Sequence, residues 1–323
     1  MAIGLGTVTK DGRVIKSNDG VGVIKAGWHC GSQPGGSGCT HNCGECQSCD
    51  ASCTCYWDNS KKPTSLTDSK GDCKKLVCDN GSKQIPDDSD KPTEKCKFCE
   101  KGTGNVIDVS STTDPGGLAA LNYLPVKMDL SPKGWGVTEE DDAIFDVTAY
   151  CAGVDWKVRI TKADQQVHQG VRLLPGVAGV TSAIIQSTSS CLVLNAMKTS
   201  LNDVADQNAD SGYYVLSAVQ AHEDLHIIQY RNDLNPAYTK LKNSIEALSI
   251  PLTDAKNAAE AKVKIQALAS YSNAMTIFHT DDVAANNATA AHNPMQPFID
   301  IEHGVVDPVI AKINTRRTAL GCP

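Results

Sequence analysis

The spacing of apolar and polar positions divides the chain into three stretches. Up to about residue 105, apolar residues are few, and Gly, Ser, Asp, Lys and Pro fill the space between cysteines. Such a segment cannot bury enough apolar surface to fold by hydrophobicity alone, so it needs covalent or metal staples. From Leu124 to Leu174, partial alternation and an excess of β-branched and aromatic residues predict strands. They cover Ala143–Tyr150, Trp156–Ile160 and Val167–Leu174, with a turn at Ala152–Asp155 and a stop at Pro175-Gly176. From Cys191 onward, apolar positions recur at three- and four-residue steps, which predicts helices. The first covers Ser190–Ala205 and the second Tyr213–Asn232. Asn235-Pro236 predicts a restart, with Asn as N-cap and Pro at the first helical position, and this third helix runs to Ser249. An Ala-rich helix follows over Thr253–Phe278, and a last one opens at His292-Asn293-Pro294, interrupted near Gly304 and Pro308.

The expected class is therefore α+β. A disulfide-rich, loop-dominated segment occupies 1–105, a linker and small β-sheet module 106–180, and a mainly helical domain 181–323. Residues 102–122, rich in Gly, Ser, Thr and Asp, read as the linker, and the opening residues read as a hairpin around Asp11-Gly12. The net charge of -7 argues against nucleic acid as a partner, because phosphate binding needs a basic surface. No run of about 18 apolar residues is present, so no membrane span is expected.

Cysteine placement sharpens the first boundary. Eleven of the 14 cysteines fall between Cys30 and Cys99; the others are Cys151, Cys191 and Cys322. The dense, irregular run from Cys39 to Cys55 differs from the two clean pairs of a zinc ribbon, so disulfides are preferred over structural zinc. In the zinc alternative, His29 and His41 become candidate ligands. Eleven is odd, so one of these cysteines is expected to pair with Cys151, Cys191 or Cys322, or to stay free. A Cys191–Cys322 bridge would tie the C-terminus to the first predicted helix. The stretch with Cys73, Cys78, Cys96 and Cys99, with its Asp-rich, Pro-bounded link Pro86–Pro92, resembles cysteine-rich repeats of secreted bacterial surface proteins. That resemblance implies a secreted or cell-surface protein. Met1–Val23 has no apolar stretch of signal-peptide type, which leaves a cytoplasmic location open.

The chemistry concentrates in His222-Glu223-Asp224-Leu225-His226, an H-E-x-x-H pattern on a predicted helix. Residues i and i+4 share a helix face, so both imidazoles can reach one zinc, while Glu223 sits where it can take a proton from activated water. Val215, Val219, His222, His226 and Tyr230 follow helical steps on that face. The motif resembles the zincin metallopeptidases. The resemblance implies Zn2+ held by His222 and His226, Glu223 as general base, and a protein or peptide substrate. The third ligand is open. Gln229 and Asn232 stand where metzincins carry Gly and a third His, and the aspzincin pattern is absent, although Thr280-Asp281-Asp282 is faintly similar.

A gluzincin-like arrangement takes Glu246, 20 residues after His226, which an antiparallel helix pair turning at Pro236 would bring to the metal. Ile250 departs from that family's usual residue, and Glu246 also has an ordinary surface partner in Lys242. His292, just before the last predicted helix, is the rival ligand. His279 and His303 are weaker ligand candidates, and either, like Tyr230 or Tyr238, is a candidate donor to a developing oxyanion. Tyr238 also belongs to an apolar stripe with Leu241, Ile245 and Leu248. The expected function is zinc-dependent peptide hydrolysis, with the cysteine-rich segment serving targeting, substrate binding or inhibition. The alternative is a non-catalytic extracellular adhesion protein with a structural zinc.

Overall fold

The computed structural model describes residues 15–17, 20–22, 43–49, 54–64, 66, 68–202, 212–292 and 295–323. The hairpin expected at Asp11-Gly12, and His29 and His41, lie outside them. The chain forms two compact units, Met1–Asp108 and Val109–Pro323.

The first unit is a series of small antiparallel hairpins: β1 (Ile15–Ser17) with β2 (Gly20–Gly22), β3 (Gln47–Cys49) with β4 (Cys55–Trp57), β5 (Lys74–Cys78) with β6 (Ser82–Pro86), and β7 (Lys97–Glu100) with β8 (Asn105–Asp108). The last three share a device that the uneven cysteine spacing conceals. Just before each first strand a cysteine adopts a left-handed backbone: Cys46 at φ 60°, Cys73 at 64° and Cys96 at 63°. The carbonyls of Cys46 and Cys73 each accept from the N–H of an aspartate that follows the hairpin, Asp58 and Asp87, both at 2.8 Å. Disulfides join Cys43 to Cys55, Cys46 to Cys78 and Cys73 to Cys99. The second and third of these bridges each link one hairpin's left-handed cysteine to a strand cysteine of the next. Cys46, Cys73, Cys78 and Cys99 are among the most buried residues of the unit, so sulfur supplies the core that apolar side chains do not. Residues 105–108, expected as linker, are strand β8: their pairing with Lys97–Glu100 outweighs the loop-like composition around them.

The second unit combines sheet and helices, and the boundary expected at residue 180 does not divide it. Its strands are β9 (Asn122–Tyr123), β10 (Gly136–Glu140), β11 (Ile144–Ala152), β12 (Asp155–Gln165), β13 (Val167–Val171) and β14 (Ala178–Gly179). Then come helices α1 (Ser182–Ser187) and α2 (Cys191–Asn202), strand β15 (Tyr213–Tyr214), α3 (Leu216–Glu246), strand β16 (Ser249–Pro251), α4 (Ala258–Gln266), α5 (Ala269–Ala290) and α6 (Gln296–Ala319). β11 and β12 form a long hairpin closed by Gly153 and Val154, where Gly153 takes the positive φ that the tight turn requires. β16 pairs antiparallel along β12, and β9 pairs parallel to its far end. β10 pairs antiparallel with β13, so that Thr138 faces Gln169 and Glu140 faces Val167. The alternating burial of β12 puts Trp156, Val158 and Ile160 into the core, and the Trp156 indole N–H donates to the Ala255 carbonyl at 3.0 Å.

The central helix differs from expectation. α3 is a continuous 31-residue helix with Pro236 inside it. Proline removes the hydrogen bond to the carbonyl four residues earlier, here Asn232. Both residues face solvent, where water can satisfy that carbonyl. Meanwhile Ile227, Tyr230, Leu234, Ala237, Tyr238, Leu241 and Ile245 form an unbroken buried stripe across the proline. Packing of that stripe against α5, α6 and β12 outweighs the local stop signal. α6 likewise runs through Gly304 and Pro308, with Phe298, Glu302, Val306 and Ile313 buried. The Ala-rich stretch expected as one helix breaks at Leu268 into α4 and α5. Cys191 at the start of α2 is bonded to Cys322, as the spacing suggested. Cys96 and Cys151 are also disulfide-bonded. Among the described residues no helix is long and apolar enough to cross a membrane.

Candidate metal centre

The first half of α3 carries His222 and His226 one turn apart on its buried face, with Glu223 beside them. α5 ends at Ala290, and His292, two residues on, has φ 50°. A left-handed residue after a helix is usually Gly or Asn, because a Cβ there is crowded. This backbone brings the His292 ring back over α3, where its Nε2 lies 2.9 Å from His222 Nε2. One nitrogen from each of His222, His226 and His292 lies within 4.8 Å of the others. Tetrahedral zinc with Zn–N bonds of about 2.0–2.1 Å separates its ligand nitrogens by about 3.3 Å, so the spacing suits a single small divalent ion.

The surroundings prepare the three rings for that task. His222 Nδ1 bonds Glu302 Oε1 at 2.5 Å, and Glu302 Oε2 accepts from the Tyr214 hydroxyl at 3.0 Å. His226 and His292 hydrogen-bond to the backbone at Thr289 and Ala290. Each imidazole thus has one nitrogen engaged, which fixes its orientation and leaves the other for a metal. The Phe298 ring packs behind all three, with centroids 4.8, 4.6 and 4.7 Å from those of His222, His226 and His292. Burial, and then the neighbouring imidazoles His222 and His292, push His226 down to about 4. His292 is lowered by burial first and by His222 next. Both rings are therefore neutral near pH 7, the form in which a nitrogen lone pair is available. The donor set fits a borderline metal such as zinc, though it does not select one first-row ion over another.

The triad opens onto a cavity of about 360 Å³ roofed by β10. Gly136 and Thr138 point toward α3. Thr138 Oγ1 donates to Glu223 Oε2 at 2.7 Å, and a Cβ on Gly136 would fall 2.2 Å from Glu223 Oε1. Only glycine lets the strand come this close. Burial is the main cause of a rise in the Glu223 pKa, which makes the carboxylate a better proton acceptor.

The other expected site residues lie elsewhere. Because α3 is continuous, Glu246 stands 20 residues beyond His226, about 30 Å along the axis. There its carboxylate accepts from Arg159 at 2.9 Å and Lys242 at 2.5 Å, and a Cβ on Gly117 would clash with it. It is a buried structural anion and not a partner of the histidines. Tyr230 is fully buried, donating to Asp282 at 2.6 Å and accepting from Gln165 at 3.0 Å, so its hydroxyl is committed to the core. His303 pairs with Asp307 at the surface of α6. Tyr238 donates to the Leu118 carbonyl. His279, with Asp142 and Asp282, forms a second group whose donor atoms lie within 4.8 Å of one another, two of its three members being exposed.

Sequence reasoning missed Thr138, Gly136, Tyr214 and the partnership of Glu302 with His222. The scarcity of glutamate in this half was the available signal for Glu302, one of four after residue 150. Comparisons with protein-family models, with curated proteins and with solved structures find no match.

Proposed function

We propose that the protein is a zinc-dependent peptidase of zincin type, with His222, His226 and His292 as metal ligands and Glu223 as general base. The observation that carries this reading is the convergence of three oriented imidazoles and one buried carboxylate on an open cavity. A structural zinc site is usually closed by four protein ligands, whereas a catalytic one keeps a position for water and substrate. Among the described residues the gathered group offers three, which favours catalysis over the adhesion-protein alternative.

Zinc, when bound, supplies Lewis acidity toward a peptide carbonyl and lowers the pKa of a coordinated water. Glu223, held by Thr138 and kept close by Gly136, takes the proton of the attacking water and delivers it to the leaving amine nitrogen. Glu302 holds the His222 ring so that Nε2 keeps its lone pair toward the site, and Tyr214 holds Glu302. The disulfides suit an oxidising destination, and we propose secretion or surface display on that basis.

Metal analysis paired with a peptidase assay tests the proposal. Wild type and Glu223→Gln are each expected to hold one zinc per chain, with hydrolysis in the variant lower by about 10²–10⁴-fold. A wild type that binds no zinc, or a variant that cleaves as fast as wild type, would overturn it.

A further inference from the structure

The cavity wall carries a carboxylate that neither the metal centre nor the hydrolytic step uses. Glu140 lies on β10, two residues beyond Thr138 and on the same face, so it sits about 6.6–6.8 Å further along the strand from the residue that holds Glu223. One of its oxygens, Oε2, is buried and has no hydrogen-bond partner. Behind it is a second buried carboxylate, Asp282 of α5, whose charge acts on Glu140. Asp282, Asn286 and Thr289 follow at four- and three-residue steps along one face of α5, so this helix forms a continuous wall from the acidic pair to the backbone that holds His226. Among the described residues, no Lys or Arg lines the cavity, while Glu140, Glu223 and Glu302 all do.

Two of those three carboxylates have tasks. Glu223 serves the proposed reaction and Glu302 orients His222, leaving Glu140 as a half-buried carboxylate with no counter-ion among the described residues. A buried charge is costly unless paired, and burial with the neighbouring Asp282 pushes this carboxyl up to about 7. A cation arriving in the cavity would meet an acceptor that is already desolvated, the situation in which a polar site discriminates most strongly against a neutral analogue.

We propose that Glu140, backed by Asp282, is an anionic subsite that receives a cationic group of the peptide substrate, an ammonium or a guanidinium. The proposal rests on the peptidase reading for the identity of the ligand as a peptide. The group can come from a Lys or Arg side chain or from a free N-terminus, and the subsite lies within about two residues of the scissile bond on an extended chain.

The test uses full-length zinc-loaded protein carrying Glu223→Gln, so that peptides bind without turnover, and reads affinity by calorimetry. The ligands are short peptides in which one Lys is moved along the sequence, each paired with a norleucine counterpart, and each with a free or acetylated N-terminus. At one position Lys is expected to bind about tenfold tighter than norleucine, and the ratio should fall to about one when Glu140→Gln is added. A preference that follows the free N-terminus identifies the terminal amine as the cation instead. Glu140→Lys should reverse the preference toward a peptide with Glu at that place, which a merely misfolded variant would not do. Equal affinity for cationic and neutral peptides, or a preference that survives Glu140→Gln, overturns the subsite. The two readings fail separately. Peptides that bind with the cation preference but are never cleaved by wild type sink the peptidase and leave the subsite. Peptides that are cleaved without that preference do the opposite.

Discussion

Gly136 governs how near β10 comes to the Glu223 carboxylate, and it does so by lacking a side chain. Adding a methyl group 2.2 Å from Glu223 Oε1 forces either the strand or the carboxylate to move. If the protein is the proposed zinc peptidase, Gly136→Ala is therefore expected to keep its zinc but lose about 10²-fold in kcat, since a shift of about 1 Å in a catalytic group costs on that order. Metal content measured beside turnover separates this outcome from loss of the site. Glu140 gives a second residue-scale prediction. Its pKa in the folded chain, about 7, lies above the ordinary 4.5. Protonation thus favours the folded state fully below pH 4.5, and that contribution is lost as pH rises through about 7. Glu140→Gln does not titrate, so its melting temperature relative to wild type should be higher at pH 8 than at pH 5. An equal difference at both values would show that the charge is relieved in the folded protein. At this scale His222, Glu223 and His226 were legible because helix periodicity alone brings them together. His292 could be named but not ranked above Glu246, because what aims it is a left-handed backbone after α5 that no residue-type preference announces.

At the scale of elements, α3 shows why Glu246 was misplaced. Asn235-Pro236 is a strong local signal for a helix start, and a break there would have folded Glu246 back toward the histidines. The apolar stripe from Ile227 to Ile245 continues in register through the proline, and its burial against α5, α6 and β12 favours one continuous element. The strands β11 and β12 were readable from alternation and from the Gly153 turn, since both signals are local. The pairing of β10 with β13, which roofs the cavity, joins segments some 30 residues apart and leaves no comparable trace. Pro236→Ala restores a main-chain hydrogen bond without touching the buried face, and is expected to raise stability by about 1–3 kcal/mol. Denaturant unfolding measures this directly, and a loss of stability would mean that the proline is needed to shape the helix.

For the whole molecule, the two units are stabilised by different means. The second relies on a core of aliphatic and aromatic residues plus the Cys191–Cys322 bridge, which closes a loop of 131 residues. Cross-links over such long loops restrict the unfolded chain strongly, so Cys191→Ser is expected to cost about 4–5 kcal/mol in the chain-entropy picture. Urea unfolding of the variant checks it; a change below about 1 kcal/mol would mean that the unfolded chain is already compact without the cross-link. The first unit was legible as a disulfide module from its composition, whereas its repeat was not, because the repeating feature is a backbone angle at Cys46, Cys73 and Cys96 and the distances between them are unequal.

The overlap of those staples also fixes how the first unit responds to force. Tension entering at Cys46 crosses to Cys78, runs back five residues to Cys73 and crosses again to Cys99. With Cα separations of 5.2 and 5.4 Å across the two bridges, the stretch from Cys46 to Cys99 can lengthen to only about 28 Å while they last, against about 180 Å once they are reduced. Pulled in an oxidising medium, this part of the chain is nearly inextensible; in a reducing one it becomes a long slack tether.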